Sequence, residues 1–213
     1  MCRRFYRSFH ESEVFDVFGA TNHDYPAMFS AKKCDVHPAT FHPVLTQQNP
    51  AEAREFVPMR WGMIPSSAKS LSRYAGFTTI NARAETLEAR RTWSVPFHRK
   101  RCLVPVSGFY EWNGLDPYRK LYAVEMVNQM PFALAALWDC WKNPLDNKEI
   151  LSYTIITTES NHLLNHISTR MPVIVEAPDF DRWLTVKRHL DWPFDLFRPF
   201  SAEKMSLVEL IGE

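Results

Sequence analysis

Apolar and polar positions change rhythm several times along this chain. The run EFVPMRW at 55–61 packs β-branched, aromatic and apolar residues into seven positions and predicts a strand. Similar runs predict strands at 102–110, 121–127, 132–138, 152–157 and 172–175. Ser12 is placed to cap a short helix carrying Val14, Phe15, Val17 and Phe18. Further helices are predicted from Ala82 to about Trp93 and over 159–166, 179–186 and 203–211. Residues 22–50, with prolines at 26, 38, 43 and 50, read as irregular. Residues 65–79 read as an exposed loop of Ser, Lys and Arg. Strands that follow strands with short spacers predict an α+β fold, a largely antiparallel twisted sheet or barrel with flanking helices. No linker composition interrupts the chain, so 1–213 reads as a single domain.

Composition sharpens this picture. Fifteen prolines against six glycines favour many short elements joined by rigid turns over long helices. A chain of 213 residues with 46% apolar and 14% aromatic positions has enough material for a real core, which excludes disorder as the main state. The formal charge is +1, which argues against a protein that coats nucleic acid in bulk. That balance hides an asymmetry: residues 1–101 carry 15 basic and 9 acidic side chains, and residues 102–213 carry 10 and 15. The halves therefore stand at +6 and −5, and a local anion site is compatible with the near-zero total. Charges interrupt the opening MCRRFYRSFHESEVFD, so it holds no signal-peptide core. The longest uncharged apolar run, near 131–138, is too short to span a bilayer. A cytoplasmic protein is expected, close to the nucleoid in a bacterium. Four cysteines at 2, 34, 102 and 140, without a C-x-x-C pair, do not form a disulfide framework there.

Several residues carry candidate chemistry. Loss of Met1 would turn Cys2 into a 1,2-aminothiol, with an amine pKa near about 8 and a thiol near about 8.5. Such a group condenses with aldehydes, first as a Schiff base and then as a five-membered thiazolidine. Read by position alone, Cys2 is first of all a thiol that happens to follow a start codon. Glu111 lies in Gly108-Phe109-Tyr110-Glu111-Trp112, where aromatic neighbours would desolvate it, raise its pKa and suit it to acid–base work. A rim carboxylate paired with an arginine is the plainer reading. Asn81 opens NARAET at 81–86, either as a helix N-cap or as a functional amide. Arg83 would oppose the dipole of the helix predicted there, which points either to a phosphate contact or to an exposed arginine. Trp61, in WGMIP at 61–65, is either a base-stacking indole or a core tryptophan. His162 and His166 share a helical spacing but lack a third metal ligand, and Cys34, His37 and His42 are too loosely spaced for structural zinc. No metal and no cofactor are expected. Glycine-rich phosphate loops and G-x-S-x-G are absent from the sequence.

In order and spacing these segments resemble the SRAP family, the SOS-response-associated peptidase-like proteins that process abasic sites. The resemblance covers nearly the whole chain. It is carried by Met1-Cys2 with Arg4-Phe5, WGMIP at 61–65, NARAET at 81–86 and RCLVPVSGFYEW at 101–112. ALWDCW at 136–141, TIITTESN at 154–161 and RMPVIV at 170–175 complete the series. It implies a SRAP-like fold and a monomer that senses abasic sites in single-stranded DNA. In the family, the cysteine exposed by Met1 removal joins the ring-opened sugar as a thiazolidine. Carried over by residue, Cys2 is the nucleophile, Asn81 holds the sugar and the Cys2 amine, and Glu111 is the acid–base group. Arg4, Arg83 and Arg170 are the implied phosphate contacts, and Trp61 lines the DNA cleft. Autoproteolytic release of Met1 and a β-elimination lyase activity are further implications. Two positions depart from the pattern: Arg3 replaces a usual glycine, and Ser168 stands in register with a histidine that assists ring opening, with His166 two residues earlier. These departures leave a non-covalent single-stranded DNA-binding module and a thiol peptidase as the alternative readings.

Overall fold

A computed structural model describes residues 2–21, 25, 28–47, 49, 51–74, 77–114, 120–185 and 192–210, with backbone alone at 30, 31 and 77. The strands are β1 (Arg4–Phe9), β2 (Ser30–Val36), β3 (Phe41–Thr46), β4 (Glu55–Trp61), β5 (Asn81–Arg83), β6 (Arg101–Val106) and β7 (Gly108–Trp112). They continue as β8 (Leu121–Met126), β9 (Phe132–Lys142), β10 (Glu149–Glu159), β11 (Arg170–Pro172), β12 (Ile174–Val175) and β13 (Met205–Leu210). The helices are α1 (Glu11–Phe18), α2 (Arg91–Arg99) and α3 (Phe180–Thr185).

Five strands close on themselves in the order β10, β4, β3, β6, β9 and back to β10. Only the β10–β4 pairing in that ring is parallel. β5 extends the same edge of β10, with Ile155 opposite Asn81, and β11 caps its end. A second, wholly antiparallel sheet runs β13-β8-β7-β1-β2. The chain crosses from barrel to sheet at Ser107, whose hydroxyl accepts the Ser8 N–H at 2.8 Å. Barrel strands are buried on both faces, which is why CLVPV at 102–106 reads as an unbroken apolar run. One face, with Leu45, Phe56, Leu103 and Leu137, packs on Phe15, Phe97 and Trp183 of the three helices. The other, with Val44, Trp61, Val104 and Tyr153, packs on Phe5, Phe109 and Val124 of the sheet.

The α+β barrel architecture and the strand at 55–61 stand as expected, and the helix carrying Val14, Phe15 and Phe18 forms, but His10 and not Ser12 holds its cap position, and it ends on Gly19 in the left-handed region. Several local expectations are corrected. Residues 22–50 contain β2 and β3, because pairing with β1 and β4 outweighs their proline content. The helix expected from Ala82 is displaced: residues 81–83 pair with β10, and α2 begins only at Arg91. Asn81 is therefore not an N-cap. The run at 102–110 splits at Ser107 into β6 and β7. Residues 162–167 form turns anchored by buried Leu164 and Ile167 in place of a helix. Residues 205–210 pair along β8 as β13, again in place of a helix, and residues 186 and 211 lie outside the described residues.

Candidate active site

Three distant segments meet where β1 begins. Cys2 directly precedes β1 and is fully buried. Its carbonyl accepts the Asn81 side-chain N–H at 2.7 Å, so the amide at the start of β5 grips the N-terminal segment. The other amide atom, Asn81 Oδ1, is buried without a hydrogen-bond partner among the described residues. Glu111 sits on β7, one position beyond the Arg4–Tyr110 pair that ends the β1–β7 ladder. Its carboxyl group is almost fully buried.

Burial dominates the electrostatics here. It pushes the Cys2 thiol far up, and the nearby Glu111 charge adds to the shift. Burial likewise raises Glu111, opposed by a hydrogen bond from Ser168 and by the charge of Arg3. Ser168 thus stands beside the carboxyl group, with its hydroxyl also 2.9 Å from the Arg170 carbonyl oxygen. A hydroxyl donates to one acceptor at a time, so Ser168 can switch its proton between the two. His166 is exposed, because Leu164 and Ile167 occupy the inward positions of that turn. The structure brings Ser168, and not His166, to Glu111.

The expected cleft residues divide. Arg83 is exposed, its side chain 64% accessible, with Glu85 3.7 Å away. Arg170 is held by Glu85 through two bonds of 2.5 and 3.0 Å and also donates to the Thr157 carbonyl. Arg4 pairs with Asp35 and lies 4.5 Å over the Tyr110 ring. Trp61 is a correction: its indole is wholly buried and does not face a cleft. It donates to the Ile80 carbonyl at 2.9 Å and stacks on Tyr153, so it supports the residue before Asn81 from below. Gly108 leaves room for the Tyr6 hydroxyl, which a Cβ there would meet at 2.5 Å. Sequence reasoning missed Asp35 and Glu85, since residues 22–50 read as irregular and Glu85 as an ordinary helix residue. Among the described residues no cluster of three or more His, Cys, Asp or Glu is arranged to hold a metal, and no helix is long and apolar enough to cross a membrane.

A buried cysteine whose backbone carbonyl is held by an amide, with a buried acid nearby, marks a candidate site at the barrel–sheet junction. The family model for "SOS response associated peptidase (SRAP)" matches residues 1–211, and the chain belongs to that family. It is 36% identical over 169 residues to "Abasic site processing protein YoqW" of Bacillus subtilis, spanning 78% of this chain and 74% of that protein. It is 31% identical over 161 residues to "Abasic site processing protein HMCES" of Pongo abelii, spanning 62% of this chain and 45% of that one. The fold also matches a crystal structure of a protein from Bacteroides thetaiotaomicron, with a TM-score of 0.87, 24% identity and coverage of 98% of this chain and 92% of that one.

Proposed function

We propose that the protein senses abasic sites in single-stranded DNA and captures them as a covalent thiazolidine through Cys2, once Met1 has been removed by hydrolysis. The observation that carries this reading is the convergence of Cys2, just ahead of β1, with Asn81 of β5 and Glu111 of β7, the thiol and the carboxyl group both buried. Membership of a family with relatives named abasic site processing proteins supports the substrate class.

The chemistry follows from the groups present. The ring-opened abasic sugar exposes an aldehyde at C1′. The Cys2 amine attacks C1′, forming a C–N bond, and the carbonyl oxygen gains a proton. The carbinolamine then loses water to give the Schiff base. Sγ attacks the same carbon, a C–S bond forms, and the thiol proton ends on the ring nitrogen. Amine, thiol and aldehyde thus give thiazolidine and one water. A thiol held protonated by burial needs a nearby base, and Glu111 is the group beside it. Glu111, entering as the carboxylate, accepts the thiol proton and passes it to the ring nitrogen. Asn81 holds the Cys2 carbonyl with its N–H and offers Oδ1 to the amine or to a sugar hydroxyl. Exposed Arg83 provides a phosphate contact. Arg4 and Arg170 contribute to the DNA only with the donors that Asp35 and Glu85 leave over.

Intact mass first establishes loss of Met1. The mature protein is then mixed with a single-stranded oligonucleotide carrying one abasic site and run on a denaturing gel. A slow band that disappears in Cys2→Ser is the expected result. Binding on a native gel without that band sinks the covalent reading in favour of non-covalent recognition.

A further inference from the structure

We propose that Asp35 is the positioning residue that sets β1, with Cys2 just ahead of it, against β7, which carries Glu111; this rests on the reading of those two residues as the reacting pair. Asp35 lies on β2, one of the two edge strands of the five-stranded sheet. Its carboxylate accepts hydrogen bonds from two other strands, from the Arg4 guanidinium on β1 and from the Tyr110 hydroxyl on β7 at 2.9 Å. The same guanidinium lies 4.5 Å over the Tyr110 ring, so the three side chains form a closed triangle of contacts.

The register gives this triangle its consequence. β1 and β7 pair over three positions, Tyr6 with Gly108, Phe5 with Phe109 and Arg4 with Tyr110. The ladder stops there. Cys2 lies two residues beyond Arg4, and Glu111 one residue beyond Tyr110. No β1–β7 ladder bond fixes the gap between thiol and carboxyl group, so the last pair sets it together with the Asn81 bond to the Cys2 carbonyl. That last pair is the one Asp35 ties together. A thiazolidine closes only when amine, sulfur and proton carrier meet one carbon, and a small widening of the gap slows closure without touching the DNA contacts. Arg4 and Asp35 largely satisfy each other's charge, which makes tethering the first task of Arg4 in this state.

The test uses mature protein and single-turnover crosslinking at rising concentrations of the abasic oligonucleotide. Asp35→Asn should lower the plateau crosslinking rate by about tenfold, while the half-saturating DNA concentration stays within about twofold. Tyr110→Phe keeps the ring under Arg4 and removes one of the two bonds to Asp35, so a smaller fall is expected there. It also carries the test if Asp35→Asn does not fold. Amide hydrogen exchange at residues 4–6 should speed up in both variants, a readout independent of DNA. A plateau rate and exchange both unchanged in a folded variant, or a loss carried wholly by weaker DNA binding, overturn the role of Asp35 and leave the crosslinking reading standing. If the wild-type protein itself forms no crosslink, the crosslinking reading fails, and hydrogen exchange alone decides whether Asp35 holds the two strands.

Discussion

Burial at single residues decides how this site can work. A thiol pushed up by desolvation is not a ready thiolate, so Cys2 gains nucleophilicity only as its proton leaves. Glu111 is the nearby group whose own pKa is moved upward, away from the ordinary carboxylate value of 4.5. The sign of its effect on rate can be worked out. The Cys2 amine must be neutral to attack, which by itself gives about a tenfold rise in rate per pH unit below its pKa. If Glu111 acts as the base, its carboxylate form is also required, and below its raised pKa the dependence steepens toward about a hundredfold per unit. Crosslinking rates between pH 4.5 and 7 should therefore show a steep lower limb for the wild-type protein. Glu111→Gln should be slower by about a hundredfold at the plateau and keep only the shallower amine dependence. A variant with the wild-type steepness would remove Glu111 from the proton-transfer step.

Elements show where local reading of the chain succeeds and where it fails. The strand at 55–61 and the helix near Val14 were legible because their composition and their tertiary surroundings ask for the same structure. β5 was not, because NARAETLEAR is rich in helix formers and its strand partner lies on β10, far away in the chain. The same holds for β13, which takes its conformation from β8. Cys2, Asn81 and Glu111 could be picked out by their motifs, whereas Asp35 could not, since its importance comes only from the two strands it joins. Contacts between elements also carry stability that no motif records. α3 and β6 hold each other reciprocally: the Trp183 indole donates to the Cys102 carbonyl at 2.9 Å, and Arg101 Nε donates to the Trp183 carbonyl at 2.6 Å. Trp183→Phe leaves the Cys102 carbonyl buried without that donor, at a cost of about 1–3 kcal/mol in urea unfolding. Crosslinking by the folded variant should remain within about twofold of wild type, because α3 contributes no residue to the site. Unchanged stability would show that this latch contributes nothing net.

For the whole molecule, the division of charge along the chain becomes a statement about assembly. Cys2, Asn81 and Arg83 come from the half at +6, while Glu111, Ser168 and Arg170 come from the half at −5. β1 pairs with β7 and β5 with β10, so the site exists only once both halves have folded together. Its integrity therefore follows global stability, and pH acts on that stability through His42. This histidine lies buried on β3 beside Phe5, with Thr40 Oγ1 at 2.6 Å. Burial first, and the Arg7 charge second, push its pKa from 6.5 down to about 3. Between those values the unfolded chain binds a proton that the folded chain does not, so stability rises with pH through this window and is lost on acidification. Glu111 works in the opposite sense, since its raised pKa favours the folded state at low pH and withdraws that support as pH rises. The depressed carboxylates Asp35 and Glu85 lose their contributions only as pH falls below their ordinary values of 3.8 and 4.5. A comparison of wild type with His42→Gln isolates the histidine, because Glu111 and the carboxylates are common to both. Between pH 7 and 4.5 the wild-type protein should lose about 2 kcal/mol more than the variant, read from urea unfolding at each pH. Parallel curves for the two proteins would mean that His42 takes up its proton inside the fold and that the barrel–sheet core admits the charge.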